Sequence, residues 1–173
     1  EEGASWSFTT PTVKVEQYWP TGGGQDLRPL ILLGLNQDID KETIQQHLFI
    51  RADGDDYAVE MVEERPEDGR LPSYYVDRYD ADRRVMFRPA EPLPRNTAVT
   101  YGLSKGAPSA EGPKKTPSEQ AYSFRTFAPL RITHRSCDSK NRACPPNQDW
   151  WISFNNSLDA EAFEQSQVTV SPQ

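Results

Sequence analysis

The sequence predicts an all-β protein built from two-sheet sandwiches, and three observations lead to this fold class. The 15 prolines are spread along the 173 residues, which leaves little room for long helices. Apolar and aromatic residues stand in short alternating runs, the pattern of strands with one buried face. Two short segments recur later in the chain, in the same order and at nearly equal spacing, as in arrays of repeated domains.

The strands of the middle of the chain are predicted from these runs. Each run is four to eight residues long and is bounded by Gly, Pro, Asn or Asp, as short strands usually are. Seven or eight such strands with turns between them are typical of an immunoglobulin or fibronectin type sandwich. The predicted strands lie at residues 13–18, 29–35, 47–51, 57–63, 73–78, 84–88, 97–104 and 122–127.

The connections between these strands have their own signals. Asp40 can cap one or two helical turns over residues 41–46, because its side chain can accept from the first free amides. Residues 53–55 (DGD) between alternating runs indicate a hairpin, since Gly accepts the positive φ of a tight turn. The Gly-rich residues 21–25 are predicted as a flexible turn, and the Pro-rich residues 89–95 as a bend.

The repeat sets the predicted domain boundaries. Residues 6–11 (WSFTTP) are echoed by residues 122–129 (YSFRTFAP), and residues 35–40 (LNQDID) by residues 154–159 (FNNSLD). The offsets are 116 and 119 positions, close to the length of one immunoglobulin domain. The chain is therefore expected to be a segment of a tandem array. Its parts would be the closing strand of a preceding domain at 1–10, a complete sandwich at 11–127 and the start of a second domain at 128–173.

Composition narrows the class of protein. The net charge is −7, from 26 acidic and 19 basic residues, and the mean hydropathy is −0.78. An aromatic content of 10% argues for a folded chain with thin cores rather than for disorder. Binding to nucleic acid needs a basic stripe, which this sequence lacks. No apolar stretch approaches the roughly 20 residues of a membrane helix. We therefore expect an acidic, β-rich protein from an extracytoplasmic setting.

The two cysteines are the strongest candidate for a covalent feature. Cys137 and Cys144 enclose a polar loop and are expected to form a disulfide, which would contribute about 2.5 kcal/mol in an oxidising compartment. His134 stands three residues before Cys137, which raises the alternative of a zinc site. That alternative lacks a fourth ligand and the paired Cys-x-x-Cys spacing, so no metal is predicted.

Other constellations have simpler interpretations. Residues 53–68 hold eight acids and one base, Arg65, but their spacing does not match a calcium-binding loop. A solvated acidic sheet edge is the expected role. Residues 22–24 (GGG) lack the Lys-Ser/Thr of a phosphate-binding loop, so no cofactor is predicted. No catalytic residue is predicted either, because the sequence places no Ser or Cys beside His47 or His134.

Several of these segments together resemble known bacterial modules. One group resembles bacterial immunoglobulin-like modules and lies at residues 30–40, 84–89 (RVMFRP), 93–94, 97–101 and 122–126 (YSFRT). The other group resembles the junction between early macroglobulin-like domains of bacterial alpha-2-macroglobulins. It comprises residues 124–130 (FRTFAPL), Cys137, 144–146 (CPP), 151–159 (WISFNNSLD) and 168–172 (VTVSP).

The second resemblance implies a function. The chain would be a non-catalytic structural segment of a periplasmic protease trap, often an inner-membrane lipoprotein anchored by a lipidated N-terminus outside this segment. Its partners would be neighbouring domains of the same chain and, through the full-length protein, target proteases. The bait and thioester would lie elsewhere, because neither cysteine is followed by Gly-Glu-Gln and no catalytic or crosslinking residue can be carried over.

Two other functions remain open at this stage. The chain could be an immunoglobulin-like stalk or adhesion module that holds a binding tip away from a bacterial cell surface. It could also be a carbohydrate-binding domain in which Trp150 and Trp151 stack on sugars. The last function is disfavoured because successive residues of a strand face opposite sides, so one ring is expected to face inward.

Overall fold

The computed structural model describes residues 10–65, 71–137 and 149–169. Within these residues the chain forms strands and a few short helices, including 3₁₀ turns at Ala81–Arg83 and Gln165–Gln167. The helices are α1 (Lys41–Gln45) and α2 (Ser73–Asp77). The strands are β1 (Val15–Trp19), β2 (Gly22–Gln25), β3 (Ile31–Leu35), β4 (Leu48–Ala52), β5 (Asp55–Tyr57), β6 (Val59–Met61), β7 (Arg84–Pro89), β8 (Ala98–Leu103), β9 (Gln120–Thr126), β10 (Ile132–Cys137) and β11 (Trp150–Phe154).

Strands β1 to β9 form two sheets that enclose one core. One sheet has the order β1-β3-β7-β6 and the other the order β2-β9-β8-β4-β5. All neighbours are antiparallel except β2 and β9, which are parallel. The most deeply buried side chains come from both sheets, among them Leu33 and Phe87 from the first and Ile50, Val99 and Tyr101 from the second. This topology confirms the predicted all-β, immunoglobulin-type sandwich.

The chain crosses from one sheet to the other at both edges of the sandwich. After β1 it leaves the first sheet, passes through the cis Trp19–Pro20 bond and enters the second sheet as β2. At the opposite edge, β5 ends at Tyr57 in the second sheet and β6 begins at Val59 in the first. A single connected segment therefore ties the two layers together along each side.

Two side chains from the second sheet fix the β1 edge. The Gln120 side chain accepts a hydrogen bond from Val15 N at 2.8 Å and donates one to Val13 O at 3.0 Å, as a neighbouring strand would. The Tyr101 hydroxyl, fully buried, donates to Pro20 O at 2.7 Å. Gly102 in β8 lets the backbone of Gln120 in β9 lie close to it, because a Cβ on residue 102 would overlap the Gln120 carbonyl oxygen.

Local signals in the sequence predict the α1 and hairpin regions correctly. Asp40 caps α1 by accepting from Thr43 N at 2.8 Å, and Ile44 points into the core with no exposed surface. Asp53 and Gly54 have φ values of 53° and 91° and form the tight turn between β4 and β5. Both features follow from residue types whose conformational preferences are strong on their own.

The expectation of a flexible turn at residues 21–25 is wrong. Residues Gly22–Gln25 form β2, whose register on β9 pairs Gly22 with Phe124 and Gln25 with Thr126. A strand made of glycines has no side chains to show a buried face. Backbone pairing with β9 holds β2 in place, and pairing of this kind leaves no mark on the sequence. The glycine-rich composition alone therefore predicts a turn.

The expectation of a strand at residues 73–78 is also wrong. Residues Ser73–Asp77 form helix α2, which begins after Pro72 and buries Val76. Val76 packs with Leu32 and Met86, which lie on the outer face of the first sheet. A five-residue helix offers too few positions to show helical periodicity, so only the sheet beneath it explains its form.

Strands β10 and β11 form a separate two-stranded antiparallel sheet, from Ile132 paired with Phe154 to Cys137 paired with Trp150. Residues 168 and 169 are irregular, and residue 170 lies outside the described residues. The predicted division into 1–10, 11–127 and 128–173 stays a prediction, and residues 1–9 also lie outside the described part of the chain.

Replacing Tyr101 by Phe is expected to lower the free energy of unfolding by about 1–3 kcal/mol, because the buried Pro20 carbonyl loses its donor. Burial raises the pKa of Tyr101, so the hydroxyl stays protonated and can donate at neutral pH. Urea denaturation measures the effect. The control Tyr122→Phe removes the hydroxyl of a half-buried tyrosine nearby and should change the free energy of unfolding by less than about 0.5 kcal/mol. Equal effects of the two variants would contradict the assigned role of the Tyr101 hydroxyl.

Candidate functional site

His47 has a serine neighbour that the sequence did not predict. Its Nδ1 lies 3.2 Å from Ser104 Oγ. The two residues directly flank the paired strands β4 and β8, and Ser104 N donates to His47 O at 2.7 Å. Within the described residues no carboxylate hydrogen-bonds to the other ring nitrogen, so the third member of a catalytic triad is not in place there. The register of β4 on β8 is the signal that could have found this pair.

The cysteine and zinc hypotheses fall mostly on undescribed residues. Cys144 lies outside the described residues, and Cys137 is described only as the last residue of β10. The Cys137–Cys144 disulfide therefore stays a prediction. His134 is exposed on β10 opposite Ser153. No group of three or more His, Cys, Asp or Glu that could hold a metal ion is found in the described part of the chain.

The acidic segment lies where the sequence predicts, on the edges of the sheets. Asp55 and Asp56 belong to β5, the outermost strand of one sheet, and Glu60 belongs to β6, the outermost strand of the other. Asp53, at the turn, accepts from Thr97 Oγ1 at 3.3 Å. Residues 67 and 68 lie outside the described residues.

The acids have basic partners that are distant in sequence. Glu60 Oε1 lies 2.6 Å from Arg88 Nη2, and its Oε2 lies 2.9 Å from Arg28 Nη2. Arg51 bridges Asp56 and Glu119 at 3.1 Å each. Hydrogen bonds from Arg88 are the main cause that lowers the pKa of Glu60. A count of bases within residues 53–68 could not find these pairs, because the arginines come from other strands and loops.

Two clefts of the described residues are poor candidates for a ligand site. One, of about 150 Å³, lies between α1, β6 and β7 and is smaller than the usual small-molecule pocket. The other is an open groove of about 470 Å³ beside residues 11–14. Its amide side chains, Asn36 and Gln120, already bind the backbone of residues 12–15.

The tryptophan pair differs from its expected arrangement. Trp150 and Trp151 are 54% and 63% exposed, so neither ring faces a core within the described residues. The expectation of one buried ring is not met because β10 and β11 have no second layer of described strands against them. The two rings leave opposite faces of β11, so they do not form one stacking platform.

The connection between the sandwich and the hairpin is a candidate site that hydrogen bonds hold from both sides. Phe127 N donates to Gln25 O at 2.8 Å, and the Arg95 guanidinium lies 5.5 Å from the centre of the Phe127 ring. From the other side, Asn156 Nδ2 donates to Ala128 O at 2.6 Å and Asn155 Nδ2 to Pro129 O at 3.0 Å. This arrangement can hold two β units together through a short, hydrogen-bonded linker.

Comparison with known proteins finds similar solved structures but no similar family model or curated sequence. No family model matches the sequence, and no curated protein matches it. Three solved structures of the bacterial S-layer protein SbsC are similar: the N-terminal part (14% identity, TM-score 0.43), domains 1–6 (16%, 0.43) and residues 31–844 (16%, 0.42). Each match covers 75% of this chain, which spans only 26%, 15% and 15% of those structures.

None of these comparisons tests the resemblance to bacterial alpha-2-macroglobulins. That resemblance and the periplasmic location stay predictions. In the described residues no helix is long and apolar enough to cross a membrane.

Replacing Glu60 by Gln is expected to lower the melting temperature at pH 7, because two arginines lose their charged partner. The pKa of Glu60 is lowered in the folded state, so its contribution is full above the ordinary carboxyl pKa and is lost as pH falls through the folded pKa. The difference between wild type and variant should therefore shrink in acid. Thermal unfolding from pH 7 to pH 3 measures this. Glu91→Gln, at an exposed position, is the control and should show no such convergence.

The predicted disulfide is tested by thiol titration of the unfolded, unreduced protein from an oxidising compartment, which should find no free thiol. The same protein after reduction should show two, from Cys137 and Cys144. Finding two free thiols before reduction would rule the pairing out.

Proposed function

We propose that this chain is a non-catalytic, immunoglobulin-like module from a tandem array in a bacterial cell-surface protein, where it acts as a stiff spacer. The observation that carries the proposal is the linker at residues 127–131. Its backbone is bound at one end by Gln25 and at the other by the side chains of Asn155 and Asn156. A linker whose backbone groups are hydrogen-bonded on both sides transmits orientation between domains, whereas a solvated linker does not.

The edges of the sandwich support the same role. The edge strands β5 and β6 have three residues each, and both carry acids. Short, charged edge strands discourage pairing with strands of neighbouring molecules. This property suits a module that lies beside similar modules in a tandem array.

His47 and Ser104 have no catalytic role in the proposed spacer. Their contact continues the backbone ladder between β4 and β8, where Ser104 N donates to His47 O. The hydrogen bond between their side chains is accounted for by this pairing of strands.

The cell-surface and protease-trap hypotheses differ in the side of the envelope on which the module lies. A peptide tag inserted between Lys114 and Lys115, both exposed in an irregular loop, provides a label in the full-length natural protein. We expect an antibody to label intact cells as strongly as permeabilised ones. A periplasmic protein carrying the same tag is the control and should be labelled only after permeabilisation.

Labelling of this protein only after permeabilisation would contradict the proposal. If the purified protein also formed a stable complex with an active protease, the trap hypothesis would replace it.

The rigid linker is tested by limited proteolysis of the chain. Asn155 Oδ1 accepts from Arg131 N at 2.8 Å, and Asn155 N donates to Arg131 O at 3.1 Å. Asn155→Ala removes the side-chain bonds, so trypsin is expected to cut several-fold faster after Arg131. Cleavage after Lys115 in the exposed loop is the internal reference and should not change.

The matched control is Ser157→Ala, which alters an exposed residue two positions away. Equal cleavage after Arg131 in wild type and Asn155→Ala would show that the asparagine does not hold the linker.

A further inference from the structure

The hairpin β10–β11 repeats the pairing of β1 with β3. In the first pair Val15 lies opposite Leu35, a bulge follows, and Gln17 lies opposite Gly34. In the hairpin Ile132 lies opposite Phe154, a bulge follows, and His134 lies opposite Ser153. One strand is displaced by 117 positions and the other by 119, and the bulge falls at the same place.

An asparagine makes the same three hydrogen bonds at the end of each pair. Asn36 donates from its backbone to Lys14 O (3.1 Å), accepts from Lys14 N (2.7 Å) and donates to Thr12 O (3.3 Å). Asn155 makes the corresponding bonds to Arg131 O (3.1 Å), Arg131 N (2.8 Å) and Pro129 O (3.0 Å). This agreement extends the repeat from sequence letters to individual bonds.

An aspartate then caps the next turn in both places. Asp40 accepts from Thr43 N at 2.8 Å, and Asp159, 119 positions later, accepts from Ala162 N at 3.3 Å. In the first copy the capped helix leads through Ile44 into β4, a strand of the opposing sheet. The equivalent of Ile44 is Phe163, 119 positions later.

The register assigns the apolar side chains on one face of β10 and β11 to core positions of the first sandwich. Val15, Ile31, Leu33 and Leu35 are at most 5% exposed in the first sandwich. Their equivalents are Ile132, Trp150, Ile152 and Phe154, of which the first three are 53%, 54% and 39% exposed. Phe154 is half-buried.

We infer that β10 and β11 are the equivalents of β1 and β3 in a second copy of this sandwich, and that their apolar face is half of its core. The occupant of this face is a second sheet equivalent to β9-β8-β4-β5, formed by the polypeptide that continues past residue 169 in the natural protein. In the first copy Ile50, Val99 and Tyr101 of that sheet fill the same place. Trp151 takes the position of Leu32, on the outer face that α2 covers in the first copy.

Carbene footprinting with mass spectrometry tests the inference by comparing two proteins, the 173-residue chain and the full-length natural protein. Labelling of Trp150 and Ile152 is expected to fall several-fold in the full-length protein. Tyr74, 63% exposed on the first sandwich, is the internal control and should be labelled equally in both. In the full-length protein, Ile152→Asp should restore labelling of Trp150 and leave the first sandwich folded. Ser153→Asp, on the opposite face of β11, should not restore it.

Equal labelling of Trp150 in the two proteins would overturn the inference. Protection that appears in the 173-residue chain only as its concentration rises, with dimers detected by light scattering, would assign the face to a second molecule and would also overturn it. The outcome does not depend on the cell-surface role, because a periplasmic protein can contain the same second sandwich.

Discussion

The sandwich depends on the crossings at its two edges, where β1 is followed directly by β2 and β5 by β6 in the opposite sheet. Each crossing brings backbone groups past the core, where an unpaired carbonyl or amide is costly. At the β1–β2 crossing the Pro20 carbonyl is paired by the buried hydroxyl of Tyr101, and β1 is paired by the amide of Gln120. The absence of a side chain at Gly102 lets the start of β9 come close enough to do this. The first and last strands of the sandwich are thereby joined.

Much of the fold could be predicted because it depends on local chemistry. Asp40 caps a helix and Asp53-Gly54 makes a turn in almost any surroundings, and the buried runs show their faces by alternation. Helix α2 and strand β2 could not be predicted, since neither has a strong preference of its own. The first forms over Leu32 and Met86, and the second forms because β9 offers an edge to pair with.

In the candidate sites too, features set by local residue types could be predicted, whereas contacts between distant residues could not. The sequence placed the acids on sheet edges, but it could not show that Glu60 meets Arg28 and Arg88, since contacts between distant residues require the register of the strands. The proximity of His47 to Ser104 was missed for the same reason. The repeat was visible in the sequence because its asparagines and aspartates make specific bonds to the backbone, which few other residues can make.

The matching registers of β1–β3 and β10–β11 raise a problem of self-recognition during synthesis. Two strand pairs with the same register, on one chain, can each dock on the sheet that belongs to the other, which is how tandem domains swap elements. Side-chain volume distinguishes them here: Trp150 stands where the first core has Ile31, and Phe154 where it has Leu35. Forcing a larger side chain into a filled core costs about 1–3 kcal/mol. If β10 and β11 belong to the second copy inferred above, two such misfits would disfavour their docking in the first core.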